Sequence, residues 1–205
     1  MAPQASDSGF HLRNESGVWL LRLVSSDTMN RLTRCQVTAL TAEIVRLSAL
    51  PEPAQPLVIC GEPNFSAGAD LNEIRALSGP VAFDFARMGQ ALMQAVQDYP
   101  AIVTAAIHGH CMGGGMDLAL ACHRRVAAPE AIFGHRGAAL GLITGWGGTQ
   151  RLPRLIGKGR ALELFAAAEK IAAGRALRIG LIDAIAADPV AESFRTIPSA
   201  GRFLR

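Results

Sequence analysis

The chain alternates short apolar runs with longer stretches in which apolar residues recur every three or four positions. The apolar runs have the length of strands and lie at 17–24, 56–60, 101–107, 125–128 and 131–133. The three- and four-residue spacing that is typical of a helix covers 32–50 and 81–98. Further helices are expected at 70–77, from the glycines at 113–115 to 122, at 152–155 and at 160–170, and residues 181–185 close the pattern. Strands that alternate with helices predict an α/β fold built on parallel strand pairing.

No interior linker or low-complexity segment interrupts this pattern. We therefore expect one core domain at 17–188, preceded by a flexible N-terminal segment at 1–16 and followed by a short C-terminal tail at 189–205. Chain ends are the segments that tertiary contacts usually hold least firmly.

Composition excludes several classes of protein. Charged residues make up 18% of the chain, below the roughly 25% of an average soluble protein, and the net charge of +3 does not indicate a nucleic-acid partner. No apolar run reaches the roughly 18 residues of a membrane span, and the first residues lack the basic and apolar regions of a signal peptide. These features predict a cytoplasmic protein without a membrane partner.

Half of the residues are hydrophobic although only 5% are aromatic. An apolar excess without a membrane span predicts a second apolar surface that is buried against copies of the same chain. We therefore expect an oligomer.

Four cysteines and five histidines raise the question of a disulfide or a metal site. The cysteines have no CxxC spacing and lie among apolar residues, so we expect reduced and buried thiols. The nitrogen and sulfur side chains that could bind zinc are His108, His110, Cys111, Cys122 and His123. Because no second pair among them has ligand spacing, we expect no metal.

Two segments share the order strand, turn of small residues, helix start: 65–71 (FSAGADL) and 110–117 (HCMGGGMD). Small side chains let a ligand approach the backbone, and the free N–H groups of a first helical turn point at it. Two such N–H groups that converge on one oxygen form an oxyanion hole, in which each donor contributes about 2.7–4 kcal/mol of transition-state stabilisation. Alternatively, the glycines only permit close helix packing.

These two segments and a third, GWGGTQRL at 145–152 with PRLIG behind it, occur in the order and spacing of a known family. The chain resembles the crotonase family, the enoyl-CoA hydratase/isomerase superfamily, from about residue 18 to residue 185. The resemblance implies a spiral fold of repeated ββα units, a homo-trimer or hexamer, and an acyl-coenzyme A thioester as ligand. It implies no separate cofactor, because coenzyme A is part of the substrate.

The resemblance also assigns roles to residues. The backbone N–H groups of Ala69 and Gly114 would hold the thioester oxygen, so that negative charge from attack at C3 or proton loss at C2 or C4 spreads onto it as an enolate. The residues that would border the coenzyme are Ser66, Ala67, Gly68, Asp70, Leu71, Asn72 and Gly113.

Two departures from the family pattern concern its catalytic glutamates. Asp117 stands at the first glutamate position and Gly137 at the second, so one carboxylate is shorter and the other is absent. A displacement of about 1 Å can lower a rate on the order of 10²-fold. Loss of a general acid or base typically lowers it by about 10²–10⁴-fold. Asp117 has a structural alternative, as an acidic residue favoured in the first turn of a helix.

His135 is the candidate compensator. It would share a face with Phe133 and Gly137 if the strand at 131–133 continued with a period of two, and an imidazole can act as acid or base near neutrality. Alternatively, it is a structural hydrogen-bonding residue. We therefore expect an enzyme of the enoyl-CoA hydratase/isomerase type, and a one-carboxylate reaction, isomerisation or weak hydration, with Asp117 and His135 as the catalytic pair.

The same oxyanion hole would also serve hydrolysis or decarboxylation, so these reactions remain open. A catalytically impaired acyl-CoA-binding or assembly protein of the same fold is the alternative that Gly137 favours. A nucleotide site at 145–149 is disfavoured because that turn lacks the lysine of a P-loop.

Two further features qualify the resemblance. Family members often have a basic residue where this chain has Met29 and another where it has Asn72, and we expect Arg31, Arg34 or Arg75 to contact the coenzyme phosphates or only to solvate helix faces. Family members also continue for roughly fifty more residues as helices that cover the acyl pocket. By resemblance the C-terminal helical region is therefore shortened, and either a second copy covers the pocket or the chain is truncated.

Overall fold

The computed structural model describes residues 9–51 and 53–197. Its elements are, in chain order, β1 (Phe10–Glu15), β2 (Val18–Leu23), β3 (Arg31–Leu32), α1 (Arg34–Ser48), β4 (Leu57–Gly61), β5 (Gly68–Ala69), α2 (Leu71–Arg75), α3 (Gly79–Gln97), β6 (Val103–Ile107), β7 (His110–Met112), α4 (Gly114–Ala121), β8 (Arg124–Ala127), β9 (Ile132–Gly134), α5 (Gly148–Ile156), α6 (Lys158–Ala167), β10 (Ile171–Ala172), α7 (Ala173–Arg178), β11 (Ala184–Ile185) and α8 (Pro189–Thr196), with a 3₁₀ turn at Ala138–Leu140.

A six-stranded sheet in the order β1-β2-β4-β6-β8-β11 organises the molecule. Only the β1–β2 pair at one edge is antiparallel, and the other pairs are parallel. Every residue of β4 and β6 is buried, as expected of parallel strands that are covered on both faces. This is the α/β architecture that the strand and helix pattern predicts.

Helices cover both faces of this sheet. On one face, α1 and α3 pack through apolar residues spaced three and four apart, among them Ile44 of α1 and Leu92 of α3. On the other face, Phe194 of α8 packs against a smaller cluster that includes Val58 and Ala106. The sheet therefore lies between two apolar layers.

Two smaller sheets carry the segments with glycine turns. One has the order β10-β9-β7, and the other is the parallel pair β3–β5, in which Leu32 pairs with Ala69. Phe65 N donates to His108 O at 2.8 Å, and Met112 N donates to Ser66 O at 2.9 Å. These backbone bonds hold the segment before β5 alongside β7.

The ends of the core differ from the prediction. The expectation of a flexible segment at 1–16 is wrong for Phe10–Glu15, which pair with β2, and residues 1–8 lie outside the described residues. Within the predicted tail at 189–205, Pro189–Thr196 form α8, which packs on the sheet, and residues 198–205 lie outside the described residues.

Two smaller expectations are also corrected. Cys35 is exposed on α1, whereas the prediction of burial is confirmed for the other three cysteines. The strand that carries Phe133 ends at Gly134, so the predicted period of two does not extend to Gly137.

Among the described residues, no helix is both long and apolar enough to span a membrane.

Candidate active site

The two strand-turn-helix segments lie side by side, which brings the amides of Ala69 and Gly114 close together. A Cβ built on Gly68 would lie 2.8 Å from Gly114 N, and one built on Gly114 would lie 3.2 Å from Ala69 N. Asp70 N donates to Leu32 O at 3.4 Å, so the N–H of Ala69, one residue earlier, points to the other edge of β5, away from β3. Gly114 begins α4, and its N–H therefore has no acceptor within the helix.

The three consecutive glycines at the start of α4 have different roles. Gly113 has a φ of +51°, a conformation that favours glycine. A Cβ on Gly115 would lie 2.6 Å from Ser66 Cβ, so Gly115 lets α4 pack closely on the first segment. The packing interpretation of the glycines thus applies to Gly115 and also to Gly114, where a Cβ would lie 2.5 Å from Trp146 Cζ3. The amide of Gly114 also lies beside that of Ala69.

Asp117 follows Gly114 by one helical turn and is 2% exposed. His135 Nε2 lies 3.0 Å from Asp117 Oδ1, and Thr144 Oγ1 donates to Oδ2 at 2.5 Å. Gly148 covers the carboxylate, because a Cβ at that position would overlap Oδ1. Both carboxylate oxygens are therefore fixed by neighbours that lie 18 and 27 residues away in sequence.

His135 lies just beyond β9 and is buried. Nε2 faces Asp117 Oδ1, and because a carboxylate only accepts hydrogen bonds, Nε2 is the donor of this contact when Asp117 is ionised. The ring packs against Phe165, with 5.4 Å between centroids. A cavity of about 50 Å³ adjoins His135 and is lined also by Gly137, Ile143 and Phe165. The structure thus brings the two predicted catalytic residues together.

Thr144 was not among the residues singled out from the sequence. It lies in an irregular segment between the 3₁₀ turn and α5, where neither periodicity nor the motif at 145–152 indicates its role. Its hydroxyl reaches Asp117 only because the chain from β9 to α5 folds back over α4.

At the second glutamate position, Gly137 starts a tight turn. Its carbonyl accepts hydrogen bonds from Leu140 N and Leu142 N, each at 2.8 Å. A Cβ on Gly137 would lie 2.7 Å from Leu142 O. The turn therefore leaves no room for a side chain at the position of the missing carboxylate.

The side chains predicted to border the coenzyme mainly build the loop. The Ser66 hydroxyl is buried, donates to Asn30 O at 2.7 Å and accepts from Gly68 N at 3.1 Å. Asp70 caps α2 by accepting from Asn72 N at 2.7 Å. The structure places the other predicted contacts at or near this loop: Ala67 and Gly113 are half-buried, Gly68 is buried, and Leu71 and Asn72 are exposed.

Arg31 and Arg34, which the sequence suggests as phosphate contacts, and Arg151 all contact other groups of the protein. Arg31 forms an ion pair with Asp27, and the Arg34 guanidinium lies over the Phe85 ring, 5.9 Å from its centroid. Arg151 is partly buried and donates to Gln97 Oε1 at 2.9 Å. Burial lowers the pKa of Arg151, and the negative charge of Asp117 opposes that shift.

The histidines outside the site make separate hydrogen bonds. Nδ1 of His123 accepts from Val103 N at 2.9 Å, and Nδ1 of His110 contacts Asn64 Oδ1 at 2.9 Å. Within the described ranges, no three histidine, cysteine or acidic side chains are grouped so that they could hold a metal ion.

Known proteins share both the sequence pattern and the fold. A family model for enoyl-CoA hydratase/isomerase matches residues 13–197. The structure of Pseudomonas aeruginosa DspI is 32% identical with a TM-score of 0.86, over 95% of this chain and 75% of DspI. Enoyl-CoA hydratase from Bacillus anthracis is 32% identical with a TM-score of 0.84, over 91% of this chain and 73% of the hydratase.

A third solved structure, an enoyl-CoA hydratase/carnithine racemase from Magnetospirillum magneticum, is 25% identical with a TM-score of 0.86, over 92% of this chain and 73% of that protein. The fold predicted from the resemblance is confirmed by these similarities. The chain belongs to the enoyl-CoA hydratase/isomerase family of the crotonase superfamily.

Proposed function

We propose that the protein binds an acyl-CoA thioester through an oxyanion hole formed by the amides of Ala69 and Gly114. The observation that carries this proposal is the proximity of these two amides to each other, with a buried carboxylate, Asp117, one helical turn after Gly114. Two N–H donors at the start of a helix stabilise negative charge on the thioester oxygen. They therefore favour any reaction that passes through an enolate.

We further propose that the reaction is isomerisation of a 3-enoyl thioester to a 2-enoyl thioester, with Asp117 as the carrier of the proton. Asp117 takes the proton from C2, and the electrons of the C2–H bond move onto the thioester oxygen as a dienolate. The same carboxyl group returns the proton to C4, and the double bond then joins C2 and C3. One carboxylate is sufficient because the proton lost at C2 is the proton gained at C4.

Hydration is less well supported because it activates a water molecule and also delivers a proton to C2. The family pattern assigns these two tasks to two glutamates, and the turn at Gly137 excludes a second side chain. Hydration by Asp117 alone is therefore expected to be slow.

We propose that His135 and Thr144 are positioning residues for Asp117. Each occupies one carboxylate oxygen, so together they fix the plane of the carboxyl group. Loss of one neighbour lets the shorter aspartate side chain rotate, and misplacement by about 1 Å can lower a rate on the order of 10²-fold.

A turnover screen of 3-enoyl-, 2-enoyl- and saturated acyl-CoA thioesters tests the proposal. We expect conversion of the 3-enoyl thioester, followed by the absorbance of the conjugated product. Asp117→Asn is expected to lower turnover about 10²–10⁴-fold, and His135→Ala at least tenfold. Asp84→Asn, on the exposed face of α3, is the matched control and is expected to leave the rate unchanged. An unchanged rate in Asp117→Asn would contradict the assignment.

An acyl-CoA-binding protein without catalytic activity is the second candidate. The observation that favours it is the turn at Gly137, which removes the second carboxylate. Calorimetry that detects acyl-CoA binding, together with no turnover of any thioester in the screen, would select this candidate.

A further inference from the structure

An indole ring lies beside the amides of Ala69 and Gly114. Trp146 lies in the glycine turn before α5 and is 3% exposed. Its Cζ3 atom lies 2.5 Å from the position that a Cβ on Gly114 would take, and Ala69 N lies 3.2 Å from the same position. One edge of the indole therefore fills the side-chain space beside Gly114 and lies close to the amide of Ala69.

The opposite edge of the indole is held by α3. The indole Nε1 donates to Phe85 O at 3.3 Å, and the centroids of the indole and the Phe85 ring lie 5.4 Å apart. A Cβ at Gly89 would overlap Cδ1 and Nε1 of the indole. Glycine in a helix interior is destabilising relative to alanine, and here its missing side chain is the space that the indole occupies. Trp146 is thus fixed between α3 and the start of α4.

From this arrangement, and resting on the function proposed above, we propose that Trp146 limits the length of the acyl group that the site accepts. A thioester whose oxygen is bound by Ala69 and Gly114 has its first acyl carbons beside the indole edge. The ring is buried and is held at both edges, so an acyl chain does not displace it without breaking packing on α3. Short acyl groups fit, and medium-length chains are excluded.

Removal of the ring tests the proposal. Trp146→Ala leaves a cavity between Phe85, Gly89 and Gly114 that is comparable to engineered cavities of about 150 Å³, which admit a ligand of the size of benzene. Each methylene buried in such a space strengthens binding about fourfold, the equivalent of about 0.8 kcal/mol. We expect kcat/KM for an eight-carbon thioester, relative to a four-carbon one, to rise at least tenfold. The matched variant Trp146→Phe is expected to give a smaller rise.

A second measurement does not depend on the stability of these variants. The chain has two tryptophans, so Trp19→Phe leaves Trp146 as the sole indole. Butyryl-CoA is expected to change its emission at concentrations at which octanoyl-CoA does not. Emission that is unchanged when calorimetry shows butyryl-CoA bound would place the ring away from the acyl group and overturn the proposal.

The outcomes separate this proposal from the function on which it rests. If the wild-type protein binds acyl-CoA but both Trp146→Ala and Trp146→Phe keep the chain-length preference of the wild type, only the role of Trp146 is wrong. If the wild-type protein binds neither butyryl-CoA nor octanoyl-CoA in calorimetry, both proposals are wrong.

Discussion

Restoring the family glutamate at position 117 is expected to damage the site. The Asp117→Glu substitution adds one C–C bond of about 1.5 Å between the helix and the carboxylate. In the structure, the aspartate carboxylate already contacts His135 and Thr144, and Gly148 lies against Oδ1 so closely that a Cβ there would overlap this atom. A longer side chain therefore cannot keep its carboxylate at these three contacts without overlapping a neighbour.

The cost of this overpacking can be estimated. An extra methylene in a well-packed interior typically costs about 1–3 kcal/mol. In a chain of this size, 1 kcal/mol corresponds to a Tm change of about 2–4 °C. We therefore expect the Tm of Asp117→Glu to fall by about 2–12 °C. The displaced carboxylate is also expected to lower turnover on the order of 10²-fold.

Thermal unfolding and the enoyl-CoA turnover screen, carried out in parallel, check this prediction. Asp84→Glu adds the same methylene on the exposed face of α3 and is the matched control, with an expected change in stability within about 0.5 kcal/mol. A fully stable Asp117→Glu protein with faster hydration than the wild type would refute the reasoning. In that case the site would still accommodate a glutamate at position 117, and the contacts with His135, Thr144 and Gly148 would not require the shorter aspartate.

Three further predictions concern other parts of the structure. Gly137→Glu is expected to lower the Tm without raising the hydration rate, because its Cβ would lie 2.7 Å from Leu142 O. Arg125→Met is expected to lower the free energy of unfolding in urea by about 1–3 kcal/mol, because the buried guanidinium donates to three carbonyls that would lose this donor. At pH 8, a thiol reagent is expected to modify only Cys35 rapidly, because burial raises the pKa of the other three thiols, and denaturation should expose all four.

The larger elements could be predicted from the sequence because each carries its own period of apolar residues. Burial on both faces gives β4 an uninterrupted apolar run and β6 a run that only Thr104 interrupts, and α3 presents Phe85, Leu92 and Val96 on one face. Strand β1 escapes such a search because it lies at the sheet edge and only alternate residues face the core. Strands β3, β5 and β10 have two residues each, which is too short for any period to be visible.

One missed element did carry a signal. Val190, Phe194 and Ile197 are spaced four and three residues apart and all pack on the sheet. This spacing is typical of an amphipathic helix, and Asp188 provides the N-cap by accepting from Ala191 N at 2.9 Å. Helix α8 could therefore have been predicted, had the last residues not been assigned to a loose tail because of their position in the chain.

The candidate site divides along the same line between local and long-range determinants. The two segments that contain Ala69 and Gly114 could be identified because small residues between a strand and a helix expose backbone N–H groups wherever the segment lies. The choice of these two amides within the segments came from the resemblance to the crotonase family. The environment of Asp117 could not be predicted, since Thr144 and Gly148 reach it through an irregular segment whose path is set by packing on α4. Comparison with the family pattern shows only that Asp117 has a shorter side chain than the glutamate at that position, and not which residues contact its carboxylate.

The turn at Gly137 links these observations. Its carbonyl accepts two backbone N–H groups, and the segment that it starts leads to Thr144, whose hydroxyl binds Asp117. A side chain at position 137 would push Leu142 and the residues after it away from the turn. It would therefore also disturb the contact between Thr144 and Asp117. The missing second carboxylate and the fixed first one are thus two consequences of the same backbone path. A site that gained a second glutamate by this route would lose the support of the first.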